Sequence, residues 1–128
     1  MSLVSPLSRV LGLGSAKEGA EHWWVQRLTA VALVPLGLWL AFAIAGLDDL
    51  SYDSVVGFIQ SPVNSILLIL TFATLSYHSQ LGVQVVVEDY VHGASLKIVT
   101  LVAVSFAHIA VAVAGIFAVL KIASGAAG

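Results

Sequence analysis

Three stretches of this chain carry no Asp, Glu, Lys or Arg: residues 28–47, 62–87 and 98–120. A helix rises about 1.5 Å per residue, so roughly 20 residues cross the ~30 Å hydrocarbon of a bilayer. Each stretch reaches or exceeds that length. Backbone donors and acceptors in lipid have no water to pair with, which leaves the α-helix, with all its bonds inside the segment, as the form such a run must take. The chain therefore reads as an all-α integral membrane protein with three transmembrane helices.

Composition agrees with that reading. Of 128 residues, 59% are hydrophobic and 9% charged, whereas about a quarter of a soluble domain is charged. The net charge is -2, and its basic residues do not cluster, so nucleic acid is excluded as a partner. There is no cysteine, which removes disulfides and thiolate ligation of iron–sulfur clusters from this chain.

The apolar runs divide the chain into an N-terminal arm (1–27), a first span (28–47), an outer loop (48–61), a second span (62–87), a short loop (88–97), a third span (98–120) and a tail (121–128). Arg9, Lys17 and Arg27 precede the first span and Lys97 lies between the second and third. By the positive-inside rule these face the cytoplasm, which puts the N-terminus inside and the C-terminus outside. The arm lacks a basic start followed by an apolar core and is expected to be retained, not cleaved as a signal peptide.

Trp23 and Trp24 suit the inner headgroup layer, where Arg27 can also sit or snorkel towards water. Pro35 is expected to kink the first span. Within the outer loop, residues 51–60 suggest a short interfacial helix, and the terminal "SGAAG" is expected to fray. The short 88–97 loop predicts an antiparallel hairpin of spans two and three. Gly82, Ala103, Ala107 and Gly115 offer small surfaces for close packing. Three helices enclose little by themselves, so the chain is expected to form part of a heteromeric bundle with another hydrophobic subunit.

The chemistry concentrates in "SYHSQLGVQVVVEDYVHG", residues 76–93. His78, Gly82, Val85 and Asp89 step by four, three and four residues. A helix turns through about 1100° over that interval, so His78 and Asp89 share one face, roughly 16 Å apart along the axis. Asp89 then lies near the inner interface and His78 about halfway into the hydrocarbon. An imidazole at that depth is costly and faces a partner group, a cavity or a metal. It is also a normal axial ligand of haem iron, and glycine one turn away leaves room for a flat group. The alternative is a histidine hydrogen-bonded to a neighbouring helix. Tyr90 and Asp89 suit an interface as ordinary residues, yet a phenol beside a carboxylate also suits the reducible head of a quinone, which needs a hydrogen bond and protons. Glu88, His92 and His22 read as solvated residues.

Here the sequence resembles a known family, the succinate dehydrogenase hydrophobic membrane anchor of respiratory complex II. The resemblance rests on "WWVQRLTA" at the start of span one, His78 in span two, and "DY" beginning eleven residues after that histidine. The arm "GLGSAKEGAEHWWVQRLTA" looks like alphaproteobacterial members. The resemblance implies that His78 is one axial ligand of a b-type haem whose other ligand comes from a companion cytochrome b anchor subunit. It further implies that Arg27 lies near the haem propionates, and that Tyr90, with Asp89 beside it, meets ubiquinone. Partners would be that cytochrome b subunit, an iron–sulfur subunit and a flavoprotein that oxidises succinate, all at a bacterial inner membrane. The chain would have no dehydrogenase chemistry of its own.

Three alternatives stand beside this. His108 lies about 15 Å into span three by helical rise, a depth at which one chain could sandwich a haem between two histidines. A haem-free structural anchor of a related complex such as fumarate reductase is a second. A small transporter is a third, disfavoured because every Asp and Glu lies outside the three apolar runs.

Overall fold

The computed structural model describes residues 16–126, and their side chains from residue 20 onward. Arg9 and most of the N-terminal arm lie outside the described residues. Four helices follow one another: α1 (Ala16–Ala45), α2 (Tyr52–Gln60), α3 (Pro62–Tyr90) and α4 (Ala94–Ala123). Three of these contain stretches long and apolar enough to cross a membrane, Ala20–Ala45, Pro62–Tyr90 and Ala94–Ala123.

The helices outrun the apolar stretches that announce them. α1 begins well before Leu28, and the expected 88–97 loop shrinks to Val91, His92 and Gly93. Charged residues can be solvated at an interface while the helix continues beneath them, and their side chains hold the ends here. Gln84 Nε2 donates to Glu88 Oε1 one turn on at 2.8 Å. Lys97 Nζ donates to the Glu88 backbone carbonyl at 2.8 Å, placing a cation against the negative end of α3. Asp89 and Tyr90 are consequently the last residues of a helix, not part of a loop.

The outer connection contains the short helix its sequence suggested. Ser51 accepts from the Ser54 amide at 3.4 Å as N-cap. Asp49 Oδ1 accepts from the Ser51 hydroxyl at 2.6 Å and the Ser51 amide at 3.0 Å. The Ser51 hydroxyl foremost, then Ser54 and the Ser51 amide, hold the Asp49 carboxyl down from 3.8 to about 2. α2 stops at Ser61 because a residue before proline is driven out of the helical region, and Ser61 has ψ 125. Asn64 Nδ2 then reaches back to the Phe58 carbonyl at 3.0 Å, and Trp39 stacks on Phe58 at 6.1 Å between centroids, tying α2 to both neighbours.

Pro35 sits inside an unbroken α1. The C-terminal end does not fray where it is described: the Gly125 amide bonds the Ile122 carbonyl and the Ala126 amide the Lys121 carbonyl. Gly125 adopts φ 76, so this is a Schellman stop, which a residue with a Cβ would resist.

α3 is the centre of the molecule. It packs against α1 on one side and α4 on the other, and α1 and α4 do not pack on each other among the described residues. α3 and α4 form the antiparallel hairpin. Gln80 Nε2 meets Ser105 Oγ at 3.1 Å and the Ser76 hydroxyl donates to the His108 carbonyl at 2.6 Å. Among the described residues only Leu81, Val87, Val119, Ser65 and Thr71 are buried. Phe42, Phe106 and Leu28 are exposed, which suits a chain whose surroundings are lipid and other apolar helices.

Candidate functional site

His78 is half-buried on the α1 side of α3. Its Nδ1 lies 2.9 Å from the hydroxyl of Thr29 on α1. The same hydroxyl lies 2.9 Å from the Val25 carbonyl and 3.0 Å from the Gln26 carbonyl. Nε2 of His78 has no protein partner among the described residues. The hydrogen-bonded histidine of the sequence reading is therefore present, with one ring nitrogen engaged and the other without a protein partner among the described residues. An imidazole nitrogen so placed could serve as a ligand to iron. No group of three or more potential metal-binding side chains occurs among the described residues.

Gly82 packs against α1, as the close-packing reading of its small surface expects: a Cβ there would lie 3.6 Å from Gln26 Nε2. His22 is not the freely solvated residue its position implied. It lies at the α1–α3 contact beside Val25, Tyr77 and Leu81, and its Nε2, like Gln26 Oε1, is buried without a hydrogen-bond partner among the described residues. His22, Gln26 and Thr29 thus form a polar stripe at spacings of four and three on one face of α1. That spacing is the sequence signal that finds Thr29; the composition of the span hides it.

His108 lies on the other flank of α3. Its Nδ1 is 2.8 Å from the Val104 carbonyl and its Nε2 3.1 Å from Ser79 Oγ. A carbonyl only accepts, so Nδ1 carries the proton and Nε2 accepts from the serine. Both nitrogens are engaged, beside a cavity of about 320 Å³ lined by Phe72, Leu75, Ser79 and Val111. His78 turns to α1 and His108 packs into the α3–α4 seam, so the geometry does not support a haem held between the two within one chain.

Arg27 follows Trp23 by one turn and stacks over its ring at 5.0 Å, while Trp23 meets Trp24 edge-on at 5.2 Å. Two residues separate Arg27 from Thr29, about 200° around the helix, so the chain by itself does not bring Arg27 to His78. Asp89 and Tyr90 end α3 exposed, Tyr90 at 80%. The unbroken helix keeps Asp89 in phase with His78. Phenol and carboxylate follow one another in the last turn of α3, both exposed among the described residues.

This is a multi-pass helical membrane protein with an apolar exterior, a histidine inside its spans and a polar end at one rim. The match to known proteins then supplies the family: residues 1–119 fit the model of the succinate dehydrogenase/fumarate reductase transmembrane subunit. The chain is 38% identical over 106 residues to the succinate dehydrogenase hydrophobic membrane anchor subunit of Rickettsia bellii, covering 83% of this chain and 85% of that one. Over 88 residues it is 36% identical to the succinate dehydrogenase membrane anchor subunit of Reclinomonas americana, covering 66% of this chain and 73% of the relative. With the corresponding Paracoccus denitrificans subunit it shares 28% identity over 126 residues, 98% and 97% of the two chains. The chain belongs to the succinate dehydrogenase membrane-anchor family.

Proposed function

We propose that this chain is the non-catalytic anchor that supplies one axial ligand of haem b and one wall of the ubiquinone-reduction site in succinate dehydrogenase. The observation that carries the haem half is His78: an imidazole deep in a membrane span, one nitrogen held by Thr29 and the other uncommitted. Bound there, haem b would give the complex a one-electron centre within the bilayer. The second ligand comes from a companion cytochrome b subunit, because His108 has both nitrogens engaged within this chain.

The quinone half rests on Tyr90 and Asp89. A phenol exposed at a helix end can donate to a quinone carbonyl, and the adjacent carboxylate can relay protons from water. The same rim faces the iron–sulfur subunit and, through it, the flavoprotein, so the electron acceptor and its proton source meet at one surface. Arg27, which stacks on Trp23 in this chain, would be the cation available to haem propionates, where charge-assisted hydrogen bonds would replace the cation–π contact. The rim faces the cytoplasm of the inner membrane, as the positions of Arg27 and Lys97 favour.

The test is the complex purified with its native partners. The wild type should show a low-spin haem in its reduced-minus-oxidised spectrum, and His78→Ala should lose it while the subunits remain together. Haem retained with an unchanged spectrum in His78→Ala would remove His78 from the reading.

A further inference from the structure

The Thr29–His78 contact spans 49 residues of sequence and joins α1 to α3. A hydroxyl has one proton to give and two lone pairs to accept with. Thr29 Oγ1 lies 2.9 Å from the Val25 carbonyl and 3.0 Å from the Gln26 carbonyl. Carbonyl oxygens accept and never donate, so the threonine proton is shared between those two. With the proton so placed, Oγ1 offers His78 a lone pair, and the 2.9 Å contact to Nδ1 favours the tautomer in which Nδ1 carries the imidazole proton. A neutral imidazole has one such proton. Nε2 is left with a bare lone pair, the form in which imidazole binds a metal.

From this we infer that Thr29 is a positioning residue for the haem ligand: it fixes the tautomer and ring plane of His78, and through Nδ1 it tunes the donor strength of Nε2. The inference rests on His78 being the ligand. Partners of the remote nitrogen orient a metal-bound histidine and raise its basicity. A hydroxyl lone pair is a milder acceptor than a carboxylate, so its effect on the donor strength of Nε2 is correspondingly modest. The threonine is itself fixed by the α1 backbone, so the ring plane follows the rotation of α1 against α3.

The experiment uses the complex isolated with its native partner subunits and compares wild type, Thr29→Val, Thr29→Ser and His78→Ala. Valine keeps the branched shape and removes the hydroxyl; serine keeps the hydroxyl. Haem content, the low-spin electron paramagnetic resonance signal and the haem midpoint potential are read together. Thr29→Val is expected to shift the resonance signal and raise the midpoint potential, because a less basic ligand stabilises ferric iron less, and Thr29→Ser is expected to restore both. Loss of haem in Thr29→Val with retention in Thr29→Ser supports the same role. Unchanged signal and potential in Thr29→Val, or equal disturbance by valine and serine, overturns it and leaves Thr29 a packing residue. If His78→Ala keeps its haem unaltered, the assignment of the ligand itself fails, and that outcome is read separately from the Thr29 pair.

Discussion

Phe72 lies so close against Gly115 that a Cβ at position 115 would sit 2.6 Å from Phe72 Cδ1 and 2.9 Å from its Cγ. Spinning the ring about its own axis leaves Cγ in place, so a larger residue at 115 must move the whole side chain. The glycine sets the separation of α3 and α4 at that level. Gly115→Ala should destabilise the hairpin by about 1–3 kcal/mol, the range for overpacking. Phe72→Leu in the same chain should recover part of that loss. Thermal unfolding of the detergent-solubilised complex for both singles and the double measures the coupling.

His108→Gln should leave haem content and spectrum at wild-type levels. The residue's nitrogens serve Val104 and Ser79, and loss of one such bond costs about 1 kcal/mol of stability. A pyridine-haemochrome assay of the purified complex checks this. Haem loss as complete as in His78→Ala would make His108 a ligand.

Tyr90→Phe keeps the ring at the end of α3 and removes the only donor it can offer a quinone. Succinate oxidation by an artificial acceptor should be unaffected, while quinone reduction should fall about tenfold, the equivalent of one lost hydrogen bond at the upper end of the neutral range. Equal loss of both activities would point instead to failed assembly.

Asp49 gives a pH dependence whose sign follows from its cap contacts. Its carboxyl is held down to about 2 in the folded chain from 3.8, so folding binds fewer protons there than unfolding does. The contribution is complete above 3.8 and declines as pH falls towards 2. Amide exchange in α2, corrected for intrinsic rates, should lose protection relative to α4 through that window, and Asp49→Asn should remove the decline. High salt should weaken the effect because the group is exposed.

The three spans and the hairpin were legible in the sequence because apolar length alone dictates them. Helix ends were less so: Glu88 and Asp89 read as loop, yet Gln84 and Lys97 keep that turn helical. That His78 and Asp89 share one face could be read from spacing along one helix, which is continuous between them. The Thr29 contact could not, since it depends on how α1 is rotated against α3, a relation between segments that no single periodicity encodes. The partner of Gly82 was hidden for the same reason. A notch in one helix says nothing about which neighbour will fill it, and here Gln26 does. The stripe His22, Gln26 and Thr29 was visible as spacing and carried a meaning only once α3 lay opposite.

Because α1 and α4 each pack on α3 and, among the described residues, not on one another, a displacement of one long outer helix reaches the other through α3 or through the short α2. Thr29 and His78 form a polar tie across the α1–α3 seam. A ring held from the neighbouring helix records that helix's tilt, so whatever leans on α1 from outside is felt at the imidazole.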